Sequence, residues 1–423
     1  MNEDVGVVVI GAGLAGLGAA AALRADGRRC LILEASDRTG GRAWTTNPAA
    51  LGGVWFDMGA IWFHDAENNP LVTIAEAAGD RMLRSDEIRT ERVYIGDRPI
   101  ADAEARDYDG AFARYAAAAD TLLKDGGDLP LSAIARALPH DPWAATVEAW
   151  EGPVICAVDA AKFSARDWRR NALGGANLVP DGGIGAFVTR RLTAGLDIRL
   201  NTPVTRIEWG KRVAVETAAG TVAANACIVT VSTGVLASGA LVFDPPLPSS
   251  TRDSIAALPM GLALKVALRA NGPDRLGLPG HCSIERQVAR GGDTLMPFIC
   301  WPFGRDYVQG WIGGGIAWDL AKAGDAAAID HALSQMRRIF GSRVDRLFAS
   351  GGTLVTRWDA DPWVRGAYSY AVPGQAFARD TLGVPLADGH LIFAGEACSV
   401  PYAGTVAGAW MTGQNAARAA ARG

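Results

Sequence analysis

From Val5 to Leu23 the chain carries no charge, and within that run two hydrophobic patterns follow one another. Val7-Val8-Val9-Ile10 is a continuous apolar stretch of β-branched residues, the pattern of a strand buried on both faces. Leu14 to Ala25 is rich in Ala and Leu and stops near Gly27, which predicts a helix. Cys30-Leu31-Ile32-Leu33-Glu34 predicts a second strand, so the opening segment reads as one βαβ unit.

The pattern then changes. Residues 85–170 hold helical runs at Ala111 to Leu123 and Leu131 to Leu138, many charges and no strand signal. From about Asp197 short strands return at Ile198 to Leu200, Val213 to Glu216, Thr221-Val222 and Ile228 to Val231. Pro245, Pro246 and Pro248 mark a boundary. Residues 260–315 read as strand-rich, including Ala263 to Leu268, and Ala326 to Phe340 as helix. A strand at Leu391 to Ala394 and a helix from about Thr405 close the series. No repeat or low-complexity linker separates these stretches. The expected fold class is α/β with two interleaved domains. Residues 1–80, 171–250 and 350–423 would form a Rossmann-like dinucleotide domain. Residues 81–170 and 251–349 would form an α+β substrate domain with a mixed sheet and helices.

Composition narrows the function. The 423 residues suggest two or three domains at roughly 150 residues each. With 49% hydrophobic and 20% charged residues the chain is not disordered. Its net charge of −4 and lack of a basic stripe argue against nucleic acid as a partner. The six cysteines form no C-x-x-C pair, so neither a disulfide scaffold nor a metal site is expected. Glu3 and Asp4 precede the uncharged run, where a signal peptide needs positive charge, and five glycines interrupt it. The C-terminal Ala420 to Gly423 carries no targeting signal. A cytoplasmic protein without membrane contact is expected, as a monomer or homodimer.

Gly11-Ala12-Gly13-Leu14-Ala15-Gly16 joins the first strand to the helix, and Glu34 ends the next strand. In that context Gly11 permits the turn, Gly13 lets a pyrophosphate approach the backbone and Gly16 lets helix pack on strand. The helix N-terminus offers unpaired N–H groups and positive potential. Glu34 can accept from ribose hydroxyls. Just beyond it, Gly40-Gly41-Arg42 suits a second approach to the pyrophosphate, with a forked cation for phosphate. A nicotinamide cofactor does not usually need this second loop, whereas FAD benefits from it.

At this point the chain resembles the flavin-containing amine oxidase family, nearest its polyamine oxidase and histone demethylase-like branch. The resemblance runs through Gly40 to Thr45, Phe56 to His64, Asn69-Pro70, Val179 to Gly183, Val229 to Leu236, Lys265, Arg357 to Trp363, Gly366 to Tyr370, Phe393 to Glu396 and Gly404 to Ala409. It implies FAD held extended and without a covalent bond, since Ala367 stands where flavinylated monoamine oxidases have their linking Cys. By position it implies that Gly11, Gly13, Ala15, Gly16, Glu34, Ala35, Gly40, Gly41 and Arg42 hold the dinucleotide. Met58, Gly59, Ala60 and Ile61 would run along the flavin with Trp358, and Val204 would hold the adenine. Gly395 and Gly404 would also bind the cofactor, Glu396 would meet its ribityl or pyrophosphate region, and the Thr405 and Val406 N–H groups would face the flavin N1/O2 edge. Of the tryptophans, Trp358 and Trp363 are expected near the flavin.

The implied reaction is hydride transfer from the amine α-carbon to flavin, hydrolysis of the imine, and reduction of O₂ to peroxide. Lys265, alone in an apolar strand, is costly there unless partnered. The family implies that it holds a water near the flavin and assists reoxidation, whereas a Lys snorkelling from a strand edge is the plainer reading. Trp62, His64, Tyr368 and Thr405 are the implied substrate contacts, with His64 open to a structural polar role. Thr405 stands where many monoamine oxidases have a second Tyr, which favours the polyamine or demethylase-like branch. A polyamine or other small amine is the expected substrate. A desaturase or isomerase of the same superfamily, or an amino-acid oxidase, is the alternative.

Overall fold

The valine run becomes the strand Glu3–Ile10 near the middle of an eight-stranded sheet in the computed structural model. The structure describes residues 3–171, 173–289 and 293–421, so Arg422 and Gly423 of the C-terminal stretch lie outside it. Glu3–Ile10 pairs in parallel with Cys30–Leu33 on one side and with Gly220–Val229 on the other. Ile198–Arg199 extends the sheet beyond Cys30–Leu33, and Leu391–Phe393 runs parallel to the end of Gly220–Val229. Val204–Trp209, Val213–Thr217 and Gly220–Val229 form an antiparallel meander, flanked by Val242–Asp244. Val7, Val8, Val9 and Leu31 have no exposed surface, as expected of strands covered on both faces.

The helices Leu14–Ala25 and Val406–Ala419 cover one face together. They cross so closely that a Cβ at Gly18 would lie 2.5 Å from the Trp410 carbonyl oxygen, and one at Gly413 would overlap the Ala15 carbonyl. Glycine at both positions lets the backbones touch. Leu17 and Leu23 are fully buried beside this contact, each stabilising by about 1.5–3 kcal/mol.

A second, seven-stranded sheet runs in the order Thr353–Val355, Ala263–Arg269, Tyr307–Gly313, Phe298–Cys300, Cys282–Arg286, Thr90–Ile95, Arg98–Pro99. The last two strands correct the strand-free reading of residues 85–170. Thr90–Ile95 is exposed over its first three residues, so it lacks the apolar alternation that marks a strand. The rest of that segment is helical, including Asp102–Leu123, Ser132–Ala137 and Ala165–Arg170. Thr353–Val355 joins this second sheet by pairing with Ala263–Arg269, although it falls in the stretch assigned to the first domain. Among the described residues no helix is long and apolar enough to cross a membrane.

Candidate active site

Gly11 turns with φ +102, and the Thr230 hydroxyl donates to the Ile10 carbonyl (2.7 Å) at the mouth of the turn. Gly13 is the N-cap of the first helix. No side chain caps that end and no acidic residue lies in its first turn, which leaves N–H groups for an anion. The two glycine loops meet. Gly13 and Gly40 form a bridge, and the Gly40 N–H donates to the Ala12 carbonyl (2.8 Å). The buried Glu34 carboxylate accepts from the Ala12 N–H (2.6 Å), the Ser36 N–H (2.9 Å) and the Ser36 hydroxyl (2.8 Å). It thus stiffens the loop, and a carboxylate with about four lone-pair sites keeps capacity for a ribose hydroxyl. Ala35 lies between these two residues. Val204 begins its strand two residues past Thr202, whose N–H donates to the Glu34 carbonyl (2.8 Å).

Arg42 uses one nitrogen, Nη1, to reach both the Ala367 carbonyl (2.8 Å) and Glu396 Oε1 (2.9 Å). Its Nε and Nη2 make no bond among the described residues. Glu396 also accepts from the Ser369 N–H (3.0 Å) and hydroxyl (2.8 Å). Burial opposes its charge, but Arg42 and Arg379 outweigh that and hold its carboxyl below the usual range. Gly395 is anchored to the Thr412 hydroxyl (3.1 Å), and Gly404 lies against the Tyr368 ring. The Thr405 hydroxyl caps the last helix at the Gly408 N–H (3.0 Å) and donates to the Tyr402 carbonyl (2.8 Å). Its side chain is therefore occupied, and the N–H groups of the first turn, starting at Val406, are what this helix end offers.

Between these regions runs the strip Asp57 to Ile61. Trp44 and Arg42 carbonyls accept from the Met58 (2.8 Å) and Ala60 (3.2 Å) N–H groups, while Trp358 Nε1 donates to the Met58 carbonyl (3.0 Å). Lys265 Nζ donates to the Asp57 carbonyl (2.7 Å) and to that of Gly59. Burial drives the Lys265 pKa well down, against the attraction of Asp57. Burial likewise drives Asp57 up, against its bonds to Thr45 and the Ile184 N–H. Lys265 is thus no snorkelling side chain.

Lys265 faces Trp311 across the antiparallel pair of strands. Trp311 meets the Trp62 ring edge-on at 5.8 Å, and Trp62 lies 6.0 Å from the His64 ring. Asn177 Oδ1 lies 2.6 Å from His64 Nδ1, and Asn177 Nδ2 donates to Asp86 Oδ2 (2.9 Å). The carboxylate fixes which way the Asn177 amide points, so Nδ1 carries the His64 proton and Nε2 keeps a lone pair. Burial lowers the His64 pKa, so the ring is neutral. Lys265, His64 and Tyr368 are each largely enclosed by protein yet keep some accessible surface. Burial also raises the Tyr368 pKa, keeping its phenol neutral.

The structure brings Gly13 to Gly40, Arg42 to Glu396, Lys265 to the Asp57 and Gly59 carbonyls, and Trp62 to His64 and Trp311. Trp363, expected beside the flavin, is 42% exposed. It follows Asp361-Pro362 in a turn, and a Trp in a turn gives no periodic signal of burial. Sequence reasoning missed Asn177 and Asp86, which reach His64 from distant segments. It also missed Trp150 and Tyr108, which bond the buried Glu285, and the pair Arg379–Asp167. A Glu or Arg within an amphipathic stretch reads as a solvated charge, so nothing in the pattern distinguishes these. No metal-binding cluster is present among the described residues.

Two glycine loops that meet beside an uncapped helix N-terminus, on a parallel βαβ unit, are the features of a dinucleotide-binding protein. A family model described as flavin containing amine oxidoreductase matches residues 14–138 and 136–421. The chain belongs to that family, and FAD is its cofactor. It is 29% identical to a probable polyamine oxidase 4 of Arabidopsis thaliana, over 99% of this chain and 87% of that protein. It is 28% identical to lysine-specific histone demethylase 2 of Homo sapiens, over 96% of this chain and 52% of that protein. A solved putrescine oxidase with putrescine bound superposes with a TM-score of 0.80 at 20% identity, covering 99% of both chains. The protein is an FAD-dependent amine oxidoreductase.

Proposed function

We propose that this protein oxidises a small aliphatic amine, with di- and polyamines as the preferred class, in the interior space bounded by Lys265, Trp62, His64, Trp311 and Tyr368. The observation that carries this reading is the arrangement of one buried lysine under the Asp57–Ile61 strip, faced by an aromatic wall and a neutral histidine. The matches to polyamine oxidases and to the putrescine oxidase fold support the substrate class.

The residues present fit FAD. Helix N–H groups at Gly13 and Val406, the unpartnered Nε and Nη2 of Arg42 and the glycine loops suit a pyrophosphate and an electron-rich ring edge. On this reading the segments 1–80, 171–250 and 350–423 hold the dinucleotide, and Ala367 offers no nucleophile for a covalent link. Bound FAD supplies a two-electron acceptor that passes the electrons to dioxygen.

The chain's own residues do the rest. Trp62 and Trp311 exclude bulk water and favour a neutral amine over an ammonium. The Nε2 lone pair of His64 accepts a hydrogen bond from the amine nitrogen. Tyr368, backed by Gly404, forms the opposite wall. Lys265 Nζ, whose proton is weakly held, would supply a proton needed to complete peroxide. The net change is amine plus O₂ plus water to carbonyl compound, released amine and H₂O₂.

The test is a peroxide-coupled assay of the FAD-loaded protein with monoamines, diamines, polyamines, acetylated polyamines and amino acids. Peroxide with diamines or polyamines is expected. Peroxide from amino acids alone would overturn the substrate class. Silence across the panel would overturn oxidase action on amines.

A further inference from the structure

A line of four charges, the half-buried Arg42 and the buried Glu396, Arg379 and Asp167, runs along the segment that carries Tyr368. Arg42 bonds Glu396, Glu396 bonds Ser369, Ser369 bonds Arg379, and Arg379 bonds Asp167. Arg379 is 1% exposed and Asp167 3%. Every nitrogen of the Arg379 fork is used. Nε reaches Asp167 Oδ1 (2.9 Å), Nη2 reaches Asp167 Oδ2 (3.0 Å) and the Ser369 carbonyl (3.0 Å), and Nη1 reaches the Ser369 hydroxyl (2.8 Å). Asp167 Oδ2 also accepts from the Ala371 N–H (3.2 Å).

The effect on the chain is specific. Ala367 is gripped by Arg42, Ser369 by Glu396 and Arg379, and Ala371 by Asp167. Tyr368 lies inside this grip, with its carbonyl further fixed by the Gly261 N–H (2.8 Å). Asp167 belongs to the helix Ala165–Arg170, within the charged segment expected to shape the substrate side, while Arg379 and Ser369 lie beside the glutamate expected to meet the cofactor. Such buried pairs are weak contributors to stability, and well-packed apolar residues of similar size often do as well. Their retention needs another reason.

We propose that Arg379 and Asp167 are positioning residues for the active site: their ion pair holds Ser369, and through it fixes both the Tyr368 wall and the orientation of Glu396. The pair also ties the helix Ala165–Arg170 to the segment Ser369 to Ala371 that follows Tyr368. Neither residue touches the interior space on this account. They act through Ser369. The proposal rests on the reading above that Tyr368 and Glu396 border the flavin.

The charge-balanced variant Arg379→Met/Asp167→Leu separates positioning from stability. It is expected to melt within about 5 °C of the wild type, because both buried charges leave together. Its flavin absorption bands should shift and its affinity for added FAD, measured on the apoprotein, should fall roughly tenfold. With an amine that the wild type oxidises, kcat/KM should fall roughly 10- to 100-fold, since small displacements of a positioned wall cost about that much. A stable double variant with wild-type spectrum, FAD affinity and kcat/KM would overturn the proposal. If the double variant does not fold, Arg379→Lys keeps the charge but cannot span Asp167 and Ser369 together. It should show the same spectral shift and loss of affinity, and wild-type values would again overturn the proposal. The FAD arm needs no amine, so a failed substrate assignment would leave it decisive.

Discussion

The Lys265 ammonium donates to the main-chain carbonyl of Gly59, pinning a cation of the second sheet against the strip Asp57 to Ile61. The same nitrogen holds the Asp57 carbonyl at 2.7 Å. A lysine in an apolar strand is thereby explained by two acceptors and a neighbouring carboxylate.

Removing that cation should uncouple the two half-reactions. Lys265→Met is expected to slow reoxidation by O₂ roughly 100- to 1000-fold, the scale of losing one preorganised electrostatic donor. Anaerobic reduction by amine should change much less. Stopped-flow absorbance of each half-reaction checks this, and equal slowing of both would contradict it.

A Cβ at Gly59 would overlap the Arg42 carbonyl and lie 3.1 Å from the Trp358 ring. Gly59→Ala should therefore displace the strip and yield protein largely free of FAD. Gly127→Ala, which meets nothing within 4 Å, should purify with its full complement of cofactor. The ratio of visible to protein absorbance decides between them.

His64 depends on a two-step relay. Asp86→Ala should free the Asn177 amide to turn and leave the imidazole tautomer unfixed. An outer hydrogen-bond partner of this kind is typically worth about 10- to 100-fold, and the loss should fall on KM for the amine more than on kcat. His64→Ala should lose at least as much, and an unaffected KM in either variant would remove His64 from the substrate site.

Glu285 gives stability a distinctive pH dependence. Burial pushes its pKa up to about 7, against the bonds from Tyr108 and Trp150 that favour its charge. The folded state then holds a proton that the unfolded chain, near 4.5, has released. The carboxyl group is neutral and unpenalised below the unfolded value, and stability is lost as pH rises through about 7, by about 3 kcal/mol in all. Glu285→Gln should flatten this decline between pH 5 and pH 8 in denaturant titrations. An unchanged slope would show that the carboxyl group ionises normally.

The first βαβ unit was legible because three signals coincide there: an apolar run, a glycine fingerprint and an Ala-rich helix of matching length. The helix Leu14–Ala25 matches its sequence expectation at both ends. The strand Val204–Trp209 was not, since only Ile207 in it is fully buried and charges interrupt it. Gly220–Val229 was read as two pieces because small residues lie in its middle. At the site, residues on the two glycine loops could be named from spacing, whereas Asn177, Asp86, Arg379 and Asp167 act across long gaps in sequence. Their roles exist only once the chain is folded. Trp363 shows the converse error, an aromatic in a dense motif whose ring faces outward.

The contact between the first helix and the helix Val406–Ala419 has a consequence for biosynthesis. The apolar face of the helix Leu14–Ala25 is covered by the helix Val406–Ala419, through Gly18 against Trp410 and Gly413 against Ala15. On the ribosome the earlier helix must wait with that face uncovered until the later one has been made. Truncation near residue 406 should therefore be felt as poor yield before it is felt as poor catalysis.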